Sequence, residues 1–247
     1  MRIFINNKKY ELKLLMSKFI QTIVVSLGGS LIFPDDIDVD FLQQFKTIIS
    51  DYATKGNRVI LVSGGGKICR KYNQAAKILN PQVSAEELDW MGIKATKVNA
   101  ELVKLMFNGQ AYFKVLDAPD EKLEPGCADS IIVAGGWKPG ASSDNMAVNL
   151  AKALGANKVI NLTNIDYVYD KDPRKFPEAK PLKNMTWPEF RQLVGNVWDP
   201  GLNAPFDPIA SQLAEQLHLE VAILNGKNLE NLNKYLNNQE FVGTIIS

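Results

Sequence analysis

The stretch from Ile131 to Pro173 constrains the fold of this chain more than any other. An apolar run, Ile131–Ala134, is short enough for a buried strand and breaks into Gly135, Gly136, Pro139 and Gly140. Ser142, Ser143 and Asp144 then open a helical segment reaching Leu154, and a second apolar strand, Lys158–Leu162, ends in Thr163-Asn164-Ile165-Asp166. Strand, glycine loop, helix and strand make one βαβ unit, so the two strands lie parallel in one sheet. In open α/β sheets ligands bind at the carboxyl ends of the strands. A helix start beside bare backbone N–H groups suits a phosphate there.

The same device occurs twice earlier. Thr22–Leu27 runs into Gly28-Gly29-Ser30, and Arg58–Ser63 runs into Gly64-Gly65-Gly66. Between them, Val39, Leu42, Phe45, Ile48, Ile49 and Tyr52 recur with a helical period. A helix Lys67–Leu79 follows the second glycine cluster, with Lys67 and Arg70 in its first turn. Cations at a helix N-terminus oppose the helix dipole, so their placement points to an anion. One glycine turn could serve the backbone alone; three at successive strand ends point to a phosphate-handling edge. None has the spacing of a P-loop or a dinucleotide fingerprint.

The remaining elements complete a doubly wound pattern. Ser84-Ala85-Glu86-Glu87 reads as a capping box for a helix reaching Phe107, and Ala111–Val115 as a fourth strand. Leu116 to Asp129 reads as a surface connection, and 180–194 as a connector with a short helix from Thr186. Gly195 to Pro205 is rich in turn formers and reads as a mobile loop; Asp207-Pro208 then opens a helix reaching Leu217. Leu219–Leu224, Leu229–Leu236 and Gly243–Ile246 follow as strand, helix and strand. Arg2–Asn6 and Tyr10–Leu15 alternate around Asn7-Lys8-Lys9 as a small hairpin would. The expected organisation is an extension, 1–18, before a single domain, 19–247. Within that domain an acceptor-binding part spans about 19–156 and an ATP-binding part about 157–247.

Composition narrows the function classes. A formal net charge of +1 gives no general attraction to nucleic acid or anionic membrane. No run approaches the roughly 20 apolar residues of a membrane span, and the charged N-terminus is a poor signal peptide. The two cysteines, Cys69 and Cys127, lack metal-ligand spacing, and the expected location is cytoplasmic. His218 is the only histidine and sits at a helix end, which argues against histidine catalysis. Phosphoryl transfer fits such an inventory, because it depends on positioning and charge stabilisation. No protein metal site is expected; Mg²⁺ would be held mainly by substrate phosphates.

The segments SLGGS (26–30), SGGGKICRKY (63–72), LDWMGIKATKVNAEL (88–102), GGWKPGASSDNMA (135–147), TNIDYVYDKDP (163–173), FDPIA (206–210) and GTII (243–246) carry a resemblance. In this order they resemble the amino-acid kinase superfamily, and within it the archaeal-type uridylate (UMP) kinases. The resemblance implies a three-layer αβα sandwich around a mostly parallel sheet, of the carbamate kinase-like type. It implies transfer of the ATP γ-phosphoryl group to UMP in pyrimidine nucleotide biosynthesis, by a cytoplasmic homo-oligomer that is usually a hexamer. Carried over by position, Gly28, Gly29 and Ser30 would lie at the ATP phosphates, and Gly66 and Arg70 at the phosphate crossover. Thr163, Tyr169 and Asp172 would frame the adenine nucleotide. Gly65 would touch UMP and Asp89 its ribose, while Trp137, Lys138, Pro139, Gly140, Ala141, Ser142 and Ser143 would hold its phosphate and base. Lys67 is the candidate cation on the transferred phosphoryl, with Arg70 beside it, and Asp144 the candidate for orienting these basic groups.

This chain departs from the pattern at four places. Ser26 stands where many superfamily relatives carry lysine, Trp137 where threonine is usual, Ser142-Ser143 for a threonine pair, and Tyr167 for glycine. Two alternatives share the fold: a small-molecule kinase with another acceptor, and a non-catalytic nucleotide-binding or storage protein. Turnover with UMP separates them.

Overall fold

The computed structural model describes residues 19–195 and 204–247. The expected hairpin within 1–18 lies outside the described residues, as does most of the loop from Gly195. Within them the chain forms β1 (Thr22–Leu27), α1 (Gly29–Ile32), α2 (Val39–Thr54), β2 (Arg58–Ser63), α3 (Gly66–Leu79), α4 (Ala85–Met106) and β3 (Ile131–Ala134). It continues through α5 (Ser143–Leu154), β4 (Lys158–Thr163), β5 (Val168–Tyr169), β6 (Pro181–Leu182), β7 (Asn184–Met185) and α6 (Trp187–Val194). The last elements are α7 (Pro208–Gln216), β8 (Glu220–Asn225), α8 (Leu229–Leu236) and β9 (Thr244–Ile246).

The helix starts follow from side chains visible in the sequence. Asp38 accepts from Phe41 N at 3.0 Å, and Ser142 from Asn145 N at 3.0 Å. Ser84 Oγ accepts from Glu87 N at 3.2 Å while Glu87 Oε2 accepts from Ser84 N at 2.9 Å, a reciprocal capping box. Gly155 ends α5 at φ 73°, a left-handed cap.

The main sheet runs β3-β2-β1-β4-β8-β9-β7. All its pairings are parallel except β8 with β9. Its strands are apolar on both faces, as a sheet covered on both sides requires. Odd-numbered residues of β1 and β2, such as Val25 and Leu61, pack with Phe45 of α2, Val103 of α4 and Leu232 of α8. Even-numbered ones, such as Val24 and Ile60, pack with Leu150 of α5, Phe190 of α6 and Ala210 of α7. The expected three-layer sandwich is therefore the observed one. After β1 the chain builds β2 and β3 on one side, then returns to place β4 on the other side of β1. That reversal makes the carboxyl ends of β1 and β4 the ligand edge.

One expected strand does not form. Ala111–Val115 runs beside β3 but makes only isolated bridges, Ala111 with Ile131 and Leu116 with Ala134. Phe113, 67% exposed, and Lys114 turn outward consecutively, so the alternation a strand needs is broken. The connection after it is also less superficial than expected. Arg58, at 5% exposure, donates to the carbonyls of Cys127 and Asp129, each at 3.1 Å.

Candidate active site

Two glycine turns interlock at the sheet edge. Gly64 N donates to Leu27 O at 2.9 Å, Phe33 N to Gly29 O at 2.9 Å, and Lys67 N to Phe33 O at 3.1 Å. Gly28 N reaches across to Leu162 O at 3.2 Å, joining the first turn to β4. Asn99 of α4, buried, donates from Nδ2 to Gly64 O at 2.8 Å and holds the second turn from below. Thr96 does the same for the third, its Oγ1 accepting from Gly136 N at 2.6 Å. Nothing local in the sequence reveals this partner of Asn99.

Beside these turns, α3, α4 and the start of α5 enclose a cavity of about 780 Å³. Of the expected acceptor residues, Gly65, Asp89, Lys138, Ala141, Ser142 and Ser143 line it, together with Arg70. Arg70 is exposed and makes no ion pair among the described residues, which leaves its guanidinium available to an anion. Asp89 Oδ2 accepts from Gly140 N at 2.9 Å, so the carboxylate ties α4 to the loop before α5. Cys69 also lines the cavity, its thiol pushed up from its ordinary range by burial, which leaves it a poor nucleophile.

Trp137, Pro139 and Gly140 do not line the cavity. The Trp137 indole packs instead against the core layer beneath α5, and Lys138 Nζ sits 4.1 Å from its ring centre. A large apolar ring gains from burial against that layer.

Lys67 pairs with Asp35, whose carboxyl this contact holds below its ordinary range. The anion that the sequence required near the α3 start is thus met by a carboxylate of the chain itself. Asp144 lies one position beyond Ser143, outside the cavity lining. It keeps partial exposure, yet its carboxyl is enclosed between β1 and α7. Ser26 Oγ donates to its Oδ1 at 3.1 Å and Asp207 N to its Oδ2 at 3.2 Å. Burial first, and the neighbouring Asp207 carboxylate second, push this group up to about 7.

The expected donor-side residues stand on the other side of β1. Thr163 ends β4, and its carbonyl accepts from Gly226 N at 2.8 Å. Tyr169 lies in the small β5–β6 hairpin, edge-on to Tyr167 with centroids 6.4 Å apart. Asp172 is held by Arg174, Nε to Oδ1 at 3.1 Å, which lowers its proton affinity.

A sheet reversed at β1 and β4, with glycine turns meeting there, has a match among known families. The model of the amino acid kinase family aligns with residues 21–225. The chain belongs to the amino acid kinase family. Among its relatives is the uridylate kinase of Methanobrevibacter smithii, 35% identical over 91% of this chain and 99% of that protein. The uridylate kinase of Methanospirillum hungatei is 33% identical over 92% of this chain and 94% of that protein. Among solved structures, the uridylate kinase of Archaeoglobus fulgidus superposes with a TM-score of 0.78 at 30% identity, covering 91% of this chain and 99% of that one.

Proposed function

We propose that this member of the amino acid kinase family is a UMP kinase, transferring the γ-phosphoryl group of ATP to UMP to give UDP and ADP. The observation that carries the reading is the convergence of Arg70, Asp89, Lys138 and Ser143 on one cavity beside the glycine turns. A phosphate, a ribose and a base need that mixture of cation, acceptor and hydroxyl. The relatives named uridylate kinase supply the acceptor class.

In this reading the UMP phosphate lies against Arg70 and Ser143, and the ribose displaces Gly140 N from Asp89. The ATP phosphates lie over Gly28, Gly29, Ser30 and Gly66, and the adenine nucleotide is framed by Thr163, Tyr169 and Asp172. An oxygen of the UMP phosphate attacks the γ-phosphorus while the bond to the β–γ bridging oxygen breaks. The attacking phosphate oxygen is already anionic, so no general base is required. Arg70 then offsets charge on the transferring group. Lys67 joins it by leaving Asp35; both side chains are largely exposed, so exchanging an exposed ion pair for a phosphate costs little.

Among the described residues no three His, Cys, Asp or Glu side chains converge as a protein cation cage would. A Mg²⁺ arriving with ATP would be held mainly by the substrate phosphates and water. When bound it would supply positive charge that offsets the negative charge of the phosphates.

A hexamer in the cytoplasm belongs to the same reading. Tyr72, Ile78 and Leu79 of α3 and Val98 and Leu105 of α4 are exposed apolar side chains that an assembly would cover. None of the described helices is long and apolar enough to cross a membrane. A coupled ADP-release assay against UMP, CMP, AMP and small carboxylic acids tests the function. Preferential turnover of UMP supports it, and no turnover with UMP sinks it.

A further inference from the structure

The carboxyl end of β1 carries a buried polar contact that the cavity does not include. Ser26 is 2% exposed and lies between apolar neighbours, Val25 and Leu27, in an interior strand paired on both sides. Alternation puts it on the α5 side of the sheet with Val24. A hydroxyl there gains nothing from packing and must be hydrogen-bonded to be tolerated. Its partner is Asp144, Oγ to Oδ1 at 3.1 Å.

The other oxygen of that carboxylate belongs to a different element, since Asp207 N donates to Oδ2 at 3.2 Å. The Asp207 carboxylate caps its own helix instead. Its Oδ1 is occupied by Ile209 N at 2.6 Å and Ala210 N at 2.8 Å, the cap of α7. Asn161, the register partner of Ser26 on β4, donates from Nδ2 to Pro205 O at 2.8 Å and anchors the chain entering α7. One polar seam thus crosses the sheet at its reversal point, and the Asp144 carboxylate bonds both its β1 side and its α7 side. Among the described residues, Asp207 of α7 is the one charged group brought against it. On this face β2 and β4 present Ile60, Val62, Val159 and Asn161, none titratable.

We propose that Ser26 is a positioning residue for phosphoryl transfer, fixing the Asp144 carboxylate between the start of α5 and the start of α7. It rests on the kinase reading above. Ser26 touches neither nucleotide; it sets where one negative charge stands beside the Ser142–Ser143 turn at the crossing point of the phosphates.

The test compares Ser26→Ala and Ser26→Thr with the unmodified full chain. Ser26→Ala should lower kcat about 10-fold, as loss of orientation in a reacting site does, with KM for UMP and ATP within about twofold. The acid limb of its kcat profile should move to higher pH, because a donor to the charged carboxylate is gone. Ser26→Thr, which keeps the hydroxyl, should recover most of both effects. An unchanged kcat in Ser26→Ala overturns the proposal, as does an equal loss in both variants with the limb unmoved. Carboxyl-carbon NMR titration of Asp144 reads the same contact without turnover. Its midpoint should rise in Ser26→Ala and return in Ser26→Thr, and an unmoved midpoint also overturns the proposal. A chain that shifts in the titration but never phosphorylates UMP would instead refute the kinase assignment.

Discussion

A β-carbon placed on Gly29 would stand 2.0 Å from the backbone nitrogen of Gly66. The two turns that follow β1 and β2 are therefore in backbone contact, and neither admits a side chain. Gly66 adds a second constraint, since its φ of +66° is a left-handed conformation and a β-carbon there would lie 2.3 Å from Gly29 O. In the proposed kinase reading, this close approach of bare backbone leaves room for two phosphate groups across the same edge.

Gly66→Ala should accordingly destabilise the fold by about 2–3 kcal/mol and remove activity, because strain and collision act together. Gly109→Ala is the control: its φ is +79°, but nothing lies within 4 Å. That variant should lose only about 1 kcal/mol. Equilibrium unfolding of both variants checks the difference, and equal losses would remove the contact argument.

Arg70→Ala should cut kcat/KM for UMP by on the order of 10²–10³-fold, the loss expected when a charge-stabilising donor leaves a transferring phosphoryl. Arg70 is exposed and without an ion pair among the described residues, so Tm should stay within about 2 °C. A near-neutral kinetic result would take Arg70 out of the site.

Asp144 makes two pH predictions. Its proton affinity in the folded chain is raised from an ordinary 3.8 to about 7, so the folded state binds this proton more tightly than the unfolded state. The sign follows: its contribution to stability is full below the unfolded value and is lost as pH rises through about 7. The Tm difference between the natural chain and Asp144→Asn should therefore favour the natural chain more at mildly acidic pH than at alkaline pH. A difference independent of pH would contradict the raised value. Turnover should run the other way, falling on the acid side of neutrality as the carboxylate is neutralised. The contribution of the neighbouring Asp207 charge is testable too: Asp207→Asn should move the acid limb toward lower pH by removing a like charge.

The sequence made the architecture legible because its signals were local. Strand, glycine turn and helix start occupy consecutive residues, and caps such as Ser84 with Glu87 sit three positions apart. What it hid were pairings across the fold. Ser26 and Asp144 are 118 positions apart, and Asn99 meets Gly64 across 35. The two-residue strands β5, β6 and β7 carry too few side chains to show any period. Ala111–Val115 misled for the opposite reason: it has the composition of a strand, but only tertiary packing reveals that Phe113 turns outward.

Trp137 is where sequence and structure differ most in consequence. Its place in the GGWKPGASSD segment suggests an acceptor contact, whereas its ring packs on the core layer beneath α5 and outside the cavity lining. If packing is its role, Trp137→Ala should destabilise the fold by about 2 kcal/mol, less than a fully buried tryptophan would. The KM for UMP and the preference over CMP should both stay within about threefold. Lys138 sharpens the test, because its ammonium rests on the indole and also lines the cavity. Losing the ring frees Lys138 without removing its charge, so Lys138→Ala should weaken UMP binding more than Trp137→Ala does. A tenfold change in acceptor preference for Trp137→Ala, with Tm unmoved, would return the indole to the site.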